Sequence, residues 1–236
     1  MEGANADVLS AMALALGAAW ASGINLYLAV LMIGGLGVTG AVDLPPDLDV
    51  IQSPPVLATA GVLYALEFLA DKVPGIDSLN DALHTFIRIP AGALLAMGSV
   101  SGIAEPWQAA AALVLGGVVT AGSHAAKTGS RAIINTSPEP FSNWFASIFE
   151  DVIVVIGLLL ALFKPAIFLI WLAVFVLLLV WLLPKLWRGL KAIWARVQGL
   201  RDGNRPAGTG LAATFRGPPE TSPDSPEAGG PPAPKP

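Results

Sequence analysis

Residues 166–183 read AIFLIWLAVFVLLLVWLL, eighteen apolar side chains in succession. This length is close to the roughly 20 residues that a helix needs to cross the hydrocarbon core of a bilayer. The rest of the chain agrees, because only 13% of its 236 residues are charged. In soluble domains about a quarter of the residues are charged. The sequence therefore predicts an integral membrane protein made of helices.

Five more apolar stretches precede this run, each bounded by turn-forming or charged residues; they cover 8–38, 56–70, 82–102, 107–123 and 141–163. The first would be about 46 Å long as one helix, which exceeds a core of roughly 30 Å. It is therefore either a strongly tilted span or a broken one, and Ser22-Gly23-Ile24-Asn25 is the natural break point. We predict an all-α, polytopic membrane bundle of about six to seven transmembrane helices.

The chain ends differ in composition from this bundle, which we assign to residues 8–183. Residues 1–7 form an N-terminal tail. Residues 184–200 alternate bases with apolar side chains at helical spacing, which predicts a juxtamembrane amphipathic helix at the interface. A helix that binds a partner protein is the alternative. Residues 201–236 are rich in Pro and Gly and are predicted to be disordered.

Basic residues set the expected orientation. Lys185, Arg188 and Lys191 directly follow the last span, so the positive-inside rule places the C-terminus in the cytoplasm. We expect a multi-pass protein of the inner (plasma) membrane, with anionic lipids as partners at 184–201. Nucleic acid is not an expected partner, because the bases cluster beside a span rather than on a folded face. The side of the N-terminus and the oligomeric state, including a homo-oligomer, stay open.

Catalytic and cofactor signatures are weak. The chain has no cysteine and two histidines, so thiolate chemistry is excluded and no metal site or cofactor is expected. Ser123 with His84 is the one conceivable nucleophile and base pair. The sequence offers neither an oxyanion donor nor a third member for it, so we do not expect an enzyme.

Charged side chains within apolar stretches carry the functional information, because such groups are costly in a membrane and normally face the bundle interior. Several of these side chains share helix faces, namely Glu67 with Asp71; Asp77, Asp81, His84 and Arg88; and His124, Lys127 and Arg131, followed by Glu150 and Asp151. We predict one polar core in which the acids Glu67, Asp71, Glu150 and Asp151 pair with the bases Arg88, Lys127 and Arg131. The candidates for a substrate or ion pathway are these seven residues together with Asn25, His84 and His124.

Simpler explanations exist for each cluster. Asp77 would serve as an N-cap and Asp81 as a first-turn acid that interacts with the helix dipole. Lys127 and Arg131 would be ordinary positive-inside residues, and His84 a structural hydrogen-bonding residue. Glu67 and Asp71 would lie at the membrane interface. Glu150 and Asp151 are harder to explain in this way, because twelve apolar residues follow them directly.

Two functional hypotheses follow. In the first, the protein is a small transporter, channel or lipid-handling protein whose polar core forms a path for a substrate or proton. In the second, it is a non-transporting structural or assembly protein whose buried charges fix helix packing. An acid-lined, water-accessible cavity would favour the first hypothesis, and direct ion pairs would favour the second. The sequence specifies neither a substrate nor a coupling ion.

Several runs resemble an uncharacterised bacterial membrane family, the domain of unknown function 4126. They are AWASGINLY at 19–27, EFLADKVPG at 67–75, HTFIRIPAGA at 84–93, AGSHAAK at 121–127 and NTSPEP at 135–140. The likeness covers roughly 10–185, and it is the combination of runs that is specific. The resemblance implies a bacterial inner-membrane protein, and it implies no activity.

Overall fold

Six α-helices make up the bundle in the computed structural model, which describes residues 2–72, 76–135 and 140–201. They are α1 (Glu2–Val38), α2 (Pro54–Ala70), α3 (Ile76–Gly98), α4 (Pro106–Ile134), α5 (Pro140–Phe163) and α6 (Pro165–Arg201), with a short 3₁₀ helix (Pro46–Gln52) before α2. No strand occurs in these described ranges. The prediction of an all-α membrane-type bundle is confirmed at this level.

Helix α1 is the central element, and it is broken. It packs against α2, α3, α4 and α5. At Asn25 the backbone leaves the helical region (φ −147°, ψ 95°), so two helical segments meet there. The side-chain oxygen of Asn25 accepts a hydrogen bond from the backbone N–H of Leu28 (3.0 Å), which caps the second segment. The predicted break in the first apolar region is therefore present.

Small residues allow the helices to approach closely. A Cβ added to Gly92 of α3 would collide with Thr120 of α4, and one added to Gly116 of α4 would collide with Ala96 of α3. In a bilayer, helix association depends on such van der Waals packing, because lipid tails are as apolar as the core side chains. The tight contact between α3 and α4 therefore fixes the spacing of the two helices that carry Arg88 and Lys127.

Helix α6 packs on the bundle through aromatic side chains. Trp171 meets the fully buried Trp20 of α1 edge to face, with ring centroids 4.7 Å apart, and Phe175 meets the same ring at 5.9 Å. Large apolar side chains on the outer face, such as Phe145, Leu177 and Trp181, are exposed, as expected for surfaces that contact lipid.

The last helix continues through Pro184 to Arg201, without a break between the final span and the predicted interfacial helix. Most side chains after Leu182 that would define that amphipathic face lie outside the described residues, as does the predicted disordered stretch from 202 onward. The chain divides into a unit of residues 1–192 and a second unit, 193–236, of which the described part is the end of α6.

A test of length and hydropathy alone finds fewer membrane spans than the six to seven that the sequence predicts. Within the described residues, four helical stretches are long and apolar enough to cross a membrane: Ala6–Val38, Pro106–Ile134, Phe141–Phe163 and Pro165–Leu182. The 3₁₀ helix and α2, bent by 63° at their junction, would together make a fifth. Helix α3, which we counted as a span, is not among them, because its first half is rich in polar residues. The count of six to seven stays a prediction.

Candidate functional site

Four helices bring their charged side chains to one place inside the bundle. Helix α2 contributes acids from its last turns, α3 an acid and a base from its first half, α4 two bases from its second half, and α5 two acids; these residues are Glu67, Asp71, Asp81, Arg88, Lys127, Arg131, Glu150 and Asp151. The broken segment of α1 lies against them. We refer to these eight residues as the ion-pair network.

Arg88 joins α2 to α3. Its Nη2 pairs with Glu67 at very short range, and its Nη1 donates to Asp81 Oδ1 at 3.1 Å. The side chains of all three residues are at most 1% exposed. Asp81 is therefore a buried member of the network, which corrects our explanation of it as a first-turn acid. Asp77 was explained more simply as an N-cap, and its side chain lies outside the described residues.

Lys127 occupies the centre. Its ammonium group donates to Asp71 Oδ2 at 3.0 Å, to Glu67 Oε1 at 3.2 Å, and to the backbone carbonyl of Ile24 at 3.1 Å. It also lies 3.6 Å from Asp81 Oδ1 and 3.5 Å from Glu150 Oε2. Five oxygens from four helices thus surround one nitrogen whose side chain is 1% exposed. Lys127 is therefore not an ordinary positive-inside residue.

Arg131 forms the end of the network nearest α5. Its Nε and Nη2 donate to the two oxygens of Glu150 (2.9 and 2.7 Å), a bidentate pair, and Nη2 also approaches Asp71 Oδ2 at 3.4 Å. Its Nη1 donates to the backbone carbonyls of Asp71 and Asn143, both at 3.2 Å. Its side chain is fully buried, whereas that of Glu150 is 13% exposed.

Asp151 is held differently from the other acids. Its two oxygens accept hydrogen bonds from Asn25 Nδ2 and from the hydroxyl of Tyr64, both at 2.9 Å. Within the described part of the chain it has no basic partner at ion-pair distance. Asn25, predicted from the sequence to lie near the core, thus links Asp151 to the break in α1.

The carbonyls freed by the break face α4. His124 Nδ1 lies 3.3 Å from the carbonyl oxygen of Gly23, and Lys127 donates to that of Ile24. The close approach requires a glycine, because a Cβ at position 23 would collide with Ser123 Oγ and the Thr120 carbonyl of α4. The break and the network are therefore in direct contact.

His84 lies beside the network, on α3. Its Nδ1 is 2.8 Å from the Asn80 carbonyl and its Nε2 is 3.0 Å from the hydroxyl of Tyr27. A neutral ring with the proton on Nδ1 satisfies both contacts, since it donates to the carbonyl and accepts from the tyrosine. Ser123, considered as its nucleophilic partner, instead has its hydroxyl 3.1 Å from carbonyls of its own helix. The two side chains do not form a catalytic dyad.

The network contains more acid than base. Five carboxylates face two guanidinium groups and one ammonium, so the formal charge is −2. Lys72, at the end of α2, interacts with Asp71 and Asp151 at longer range, and counting it leaves −1. One oxygen each of Glu67, Asp71 and Asp81 is buried with no hydrogen-bond partner among the described residues. The three fully buried acids are matched by the three buried bases, so the surplus lies at the half-buried Glu150 and Asp151, where a proton or another cation would balance it.

A cavity of about 500 Å³ lies next to this region, between the second segment of α1, the 3₁₀ helix, α2 and α3. Its lining is mainly apolar, and it includes Tyr27, the partner of His84. The charged side chains of the network do not line it. Nor do the described residues contain a group of three acidic or histidine side chains arranged to hold a metal ion.

Three polar contributors were not among the sequence candidates. Asp81 was set aside because first-turn acids are common. Tyr64 and Thr85 were missed because single hydroxyls in apolar helices are usual. A signal was available for Tyr64 and Asp81, because each lies at helical spacing from a candidate: Tyr64 three residues before Glu67, and Asp81 seven before Arg88.

The comparisons with known proteins agree with the resemblance seen in the sequence. The sequence model of the family described as Domain of unknown function (DUF4126) matches residues 12–185, which include the whole ion-pair network. Neither the curated proteins nor the solved structures gave a match.

Proposed function

Since this chain belongs to the DUF4126 family, whose description assigns no activity, we propose its function from the geometry: it is a small membrane transporter or channel whose ion-binding centre is the ion-pair network. The surplus of acid over base in the network is the observation that carries this proposal, and it lies at the half-buried Glu150 and Asp151.

The energetic cost of the network supports a role beyond stability. Desolvation costs several kcal/mol per buried ion, and replacing a buried ion pair by apolar side chains of similar volume is often neutral or stabilising. Here three bases and five acids are buried or nearly so. A bundle that needed only stability would retain fewer of them. Charge that is costly and unbalanced fits a site that takes up and releases an ion.

The broken helix supports the same proposal. Many transporters form their ion sites where a helix is interrupted, because the freed backbone carbonyls can coordinate a cation. In this protein the carbonyls of Gly23 and Ile24 face His124 and Lys127, and the position of a bound cation is taken by the Lys127 ammonium. The conformation is closed, so a transport cycle would have to expose the network to one side of the membrane at a time.

Ion flux in proteoliposomes tests the proposal. Purified protein would be reconstituted at a pH gradient, and then at gradients of Na⁺, K⁺ and Cl⁻, with a trapped fluorescent indicator for each ion. We expect flux above that of protein-free vesicles for at least one ion. We expect Asp151→Asn to reduce it at least tenfold, because the amide cannot ionise, although its oxygen can still accept from Asn25 and its NH₂ can donate to the Tyr64 oxygen.

Tyr64→Phe is the matched control, because it removes one hydrogen bond from Asp151 and leaves the charge in place. Its flux should stay within about twofold of that of the unmodified protein. If the combined neutralisation of Glu150 and Asp151 lowers thermal stability while every measured flux is unchanged, the transport proposal is wrong.

A second function is a non-transporting structural or assembly protein, and one observation favours it. All three bases pair directly with carboxylates, and the paired side chains are at most 4% exposed except for Glu150. Direct pairing of this kind is what a network that fixes helix packing would show. That function predicts no flux for any ion, together with a large loss of stability on neutralisation.

A further inference from the structure

We propose that His124 is the proton-binding residue of this network, and that its ring switches between Arg88 of α3 and the Gly23 carbonyl at the break in α1. The inference rests on the proposed function, because it names the ion that the same site takes up. A proton would bind at Nδ1 from bulk water and return to bulk water, with one N–H bond formed and broken in each cycle.

No single protonation state of Nδ1 satisfies both of its neighbours. Nδ1 lies 3.3 Å from Arg88 Nη1, which can only donate, and 3.3 Å from the Gly23 carbonyl, which can only accept. Without a proton, Nδ1 can accept from Arg88 and leaves the carbonyl unsatisfied. With a proton, Nδ1 donates to the carbonyl and repels the guanidinium group. The side chain is 4% exposed, so water does not readily compensate for either loss.

The other ring nitrogen has a fixed role. Nε2 is 2.7 Å from Thr85 Oγ1, and that hydroxyl donates its own hydrogen to the Asp81 carbonyl at 3.0 Å. The oxygen therefore accepts from His124, which places a hydrogen on Nε2 in both states. The neutral ring is then the form with a bare Nδ1 facing Arg88, and adding a proton produces the imidazolium. The two states thus differ only at Nδ1.

The surroundings act on the added positive charge in both directions: Asp81 and the Gly23 carbonyl favour it, whereas burial, Arg88 and Lys127 oppose it. Helix α3 presents Asp81 and Arg88 to the ring, its own helix α4 presents Lys127, and α1 presents a backbone carbonyl. Glu67 of α2 acts through Arg88. Protonation frees Arg88 to pair entirely with Asp81 and Glu67, and it reduces the acid surplus by one. His84, the other histidine, faces no such conflict, because one neutral tautomer satisfies both of its contacts.

Proton binding would act on the break in α1. The Gly23 carbonyl belongs to the last turn of the first helical segment, so a bond from protonated His124 ties that segment to α4. Loss of the proton removes this bond and transfers Nδ1 to Arg88. The ring thus connects the protonation state of the network to the attachment of the first segment of α1, which is what a proton-driven conformational change requires.

Nitrogen-15 NMR of the two histidines tests the proposal directly. The full-length protein would be labelled with ¹⁵N-histidine, reconstituted in nanodiscs and titrated from about pH 4 to about pH 9, the range in which imidazoles change charge. His84→Gln assigns the two ring signals. We expect His124 to pass from the neutral Nε2–H tautomer to the imidazolium within this range.

Thr85→Val provides a second, independent readout. It removes the hydroxyl that fixes the hydrogen on Nε2, with little change in side-chain shape. The neutral ring of His124 should then change to the Nδ1–H tautomer, because the Gly23 carbonyl is its remaining acceptor. A His124 signal that keeps one neutral form throughout the titration, or an unchanged tautomer in Thr85→Val, would overturn the proposal.

The outcome separates this inference from the transport proposal. A titrating His124 in a protein that moves no ion would refute transport and leave the proton site standing. Transport by a protein in which His124 stays neutral would refute the proton site and leave the transport proposal standing. If both hold, flux through His124→Gln should lose the pH dependence that the unmodified protein shows over the range in which His124 titrates in the NMR experiment. A structural role for the ring would not produce that loss.

Discussion

Replacement of Lys127 by methionine is the most direct perturbation of the network. Methionine fills the space of the lysine stem, so the loss is confined to the charge and its hydrogen bonds. The ammonium donates to Asp71, to Glu67 and to the Ile24 carbonyl, and each of the two bonds to carboxylates contributes about 1.5–3 kcal/mol. The two together give about 3–6 kcal/mol, which agrees with the roughly 3–5 kcal/mol for removing one partner of a buried ion pair.

We therefore expect Lys127→Met to lower the free energy of unfolding by about 4 kcal/mol, close to a thousandfold in the unfolding equilibrium constant. Unfolding by SDS in mixed micelles, followed through the fluorescence of the seven tryptophans, would measure it. Lys164→Met is the matched control, because Lys164 is exposed in the turn between α5 and α6, and it should change stability by no more than about 0.5 kcal/mol.

A double variant tests whether the lost energy belongs to the pair. Asp71→Asn removes the acid that loses its closest base, while Arg131 keeps its bidentate contact with Glu150. Lys127→Met with Asp71→Asn should therefore be less destabilised than the sum of the two single variants, by about 0.5–3 kcal/mol. If Lys127→Met is as stable as Lys164→Met, the network does not hold the bundle together and our reasoning about buried pairing is wrong.

Three further predictions concern the backbone and the orientation. Gly23→Ala should destabilise by about 1–3 kcal/mol through collision with α4, whereas Gly35→Ala, whose Cβ meets no neighbour, should be neutral or slightly stabilising in the same unfolding assay. Asn25→Leu removes the cap of the second α1 segment and should cost about 0.5–2 kcal/mol; an unchanged midpoint would show that the cap is dispensable. The chain has no cysteine, so a single introduced cysteine is the only site that a maleimide can label. Asp47→Cys should react with an impermeant maleimide in intact cells, and Arg188→Cys should react only after permeabilisation. The opposite result would show that the topology is inverted.

Local sequence rules were sufficient for the break and for the faces that carry charge. The run Ser22-Gly23-Ile24-Asn25 places a residue without a Cβ and a capping amide within an apolar stretch too long for one span, and the backbone leaves the helix at Asn25. Glu67 and Asp71 are four residues apart, so helical periodicity alone puts them on one face. These inferences depend only on neighbours along the chain.

The choice of partners could not be predicted in this way. Arg88 pairs with Glu67, 21 residues earlier, and Lys127 reaches Asp71, 56 residues earlier. Both contacts depend on where α2, α3 and α4 cross, and the crossing is set by close approach at small residues such as Gly92. Asp81 shows the same limit, because its spacing from Arg88 places both on one helix face but does not show that Arg88 pairs with it inside the bundle.

The break and the network depend on each other physically. Interrupting a helix in a membrane frees carbonyls that lipid cannot satisfy, and each costs several kcal/mol unless a donor is found. At the Ile24 carbonyl the donor is Lys127, and at the Gly23 carbonyl it is His124 when protonated. Lys127 in turn tolerates burial because carboxylates surround it. A change in charge at either α4 residue would therefore alter the support of the break in α1.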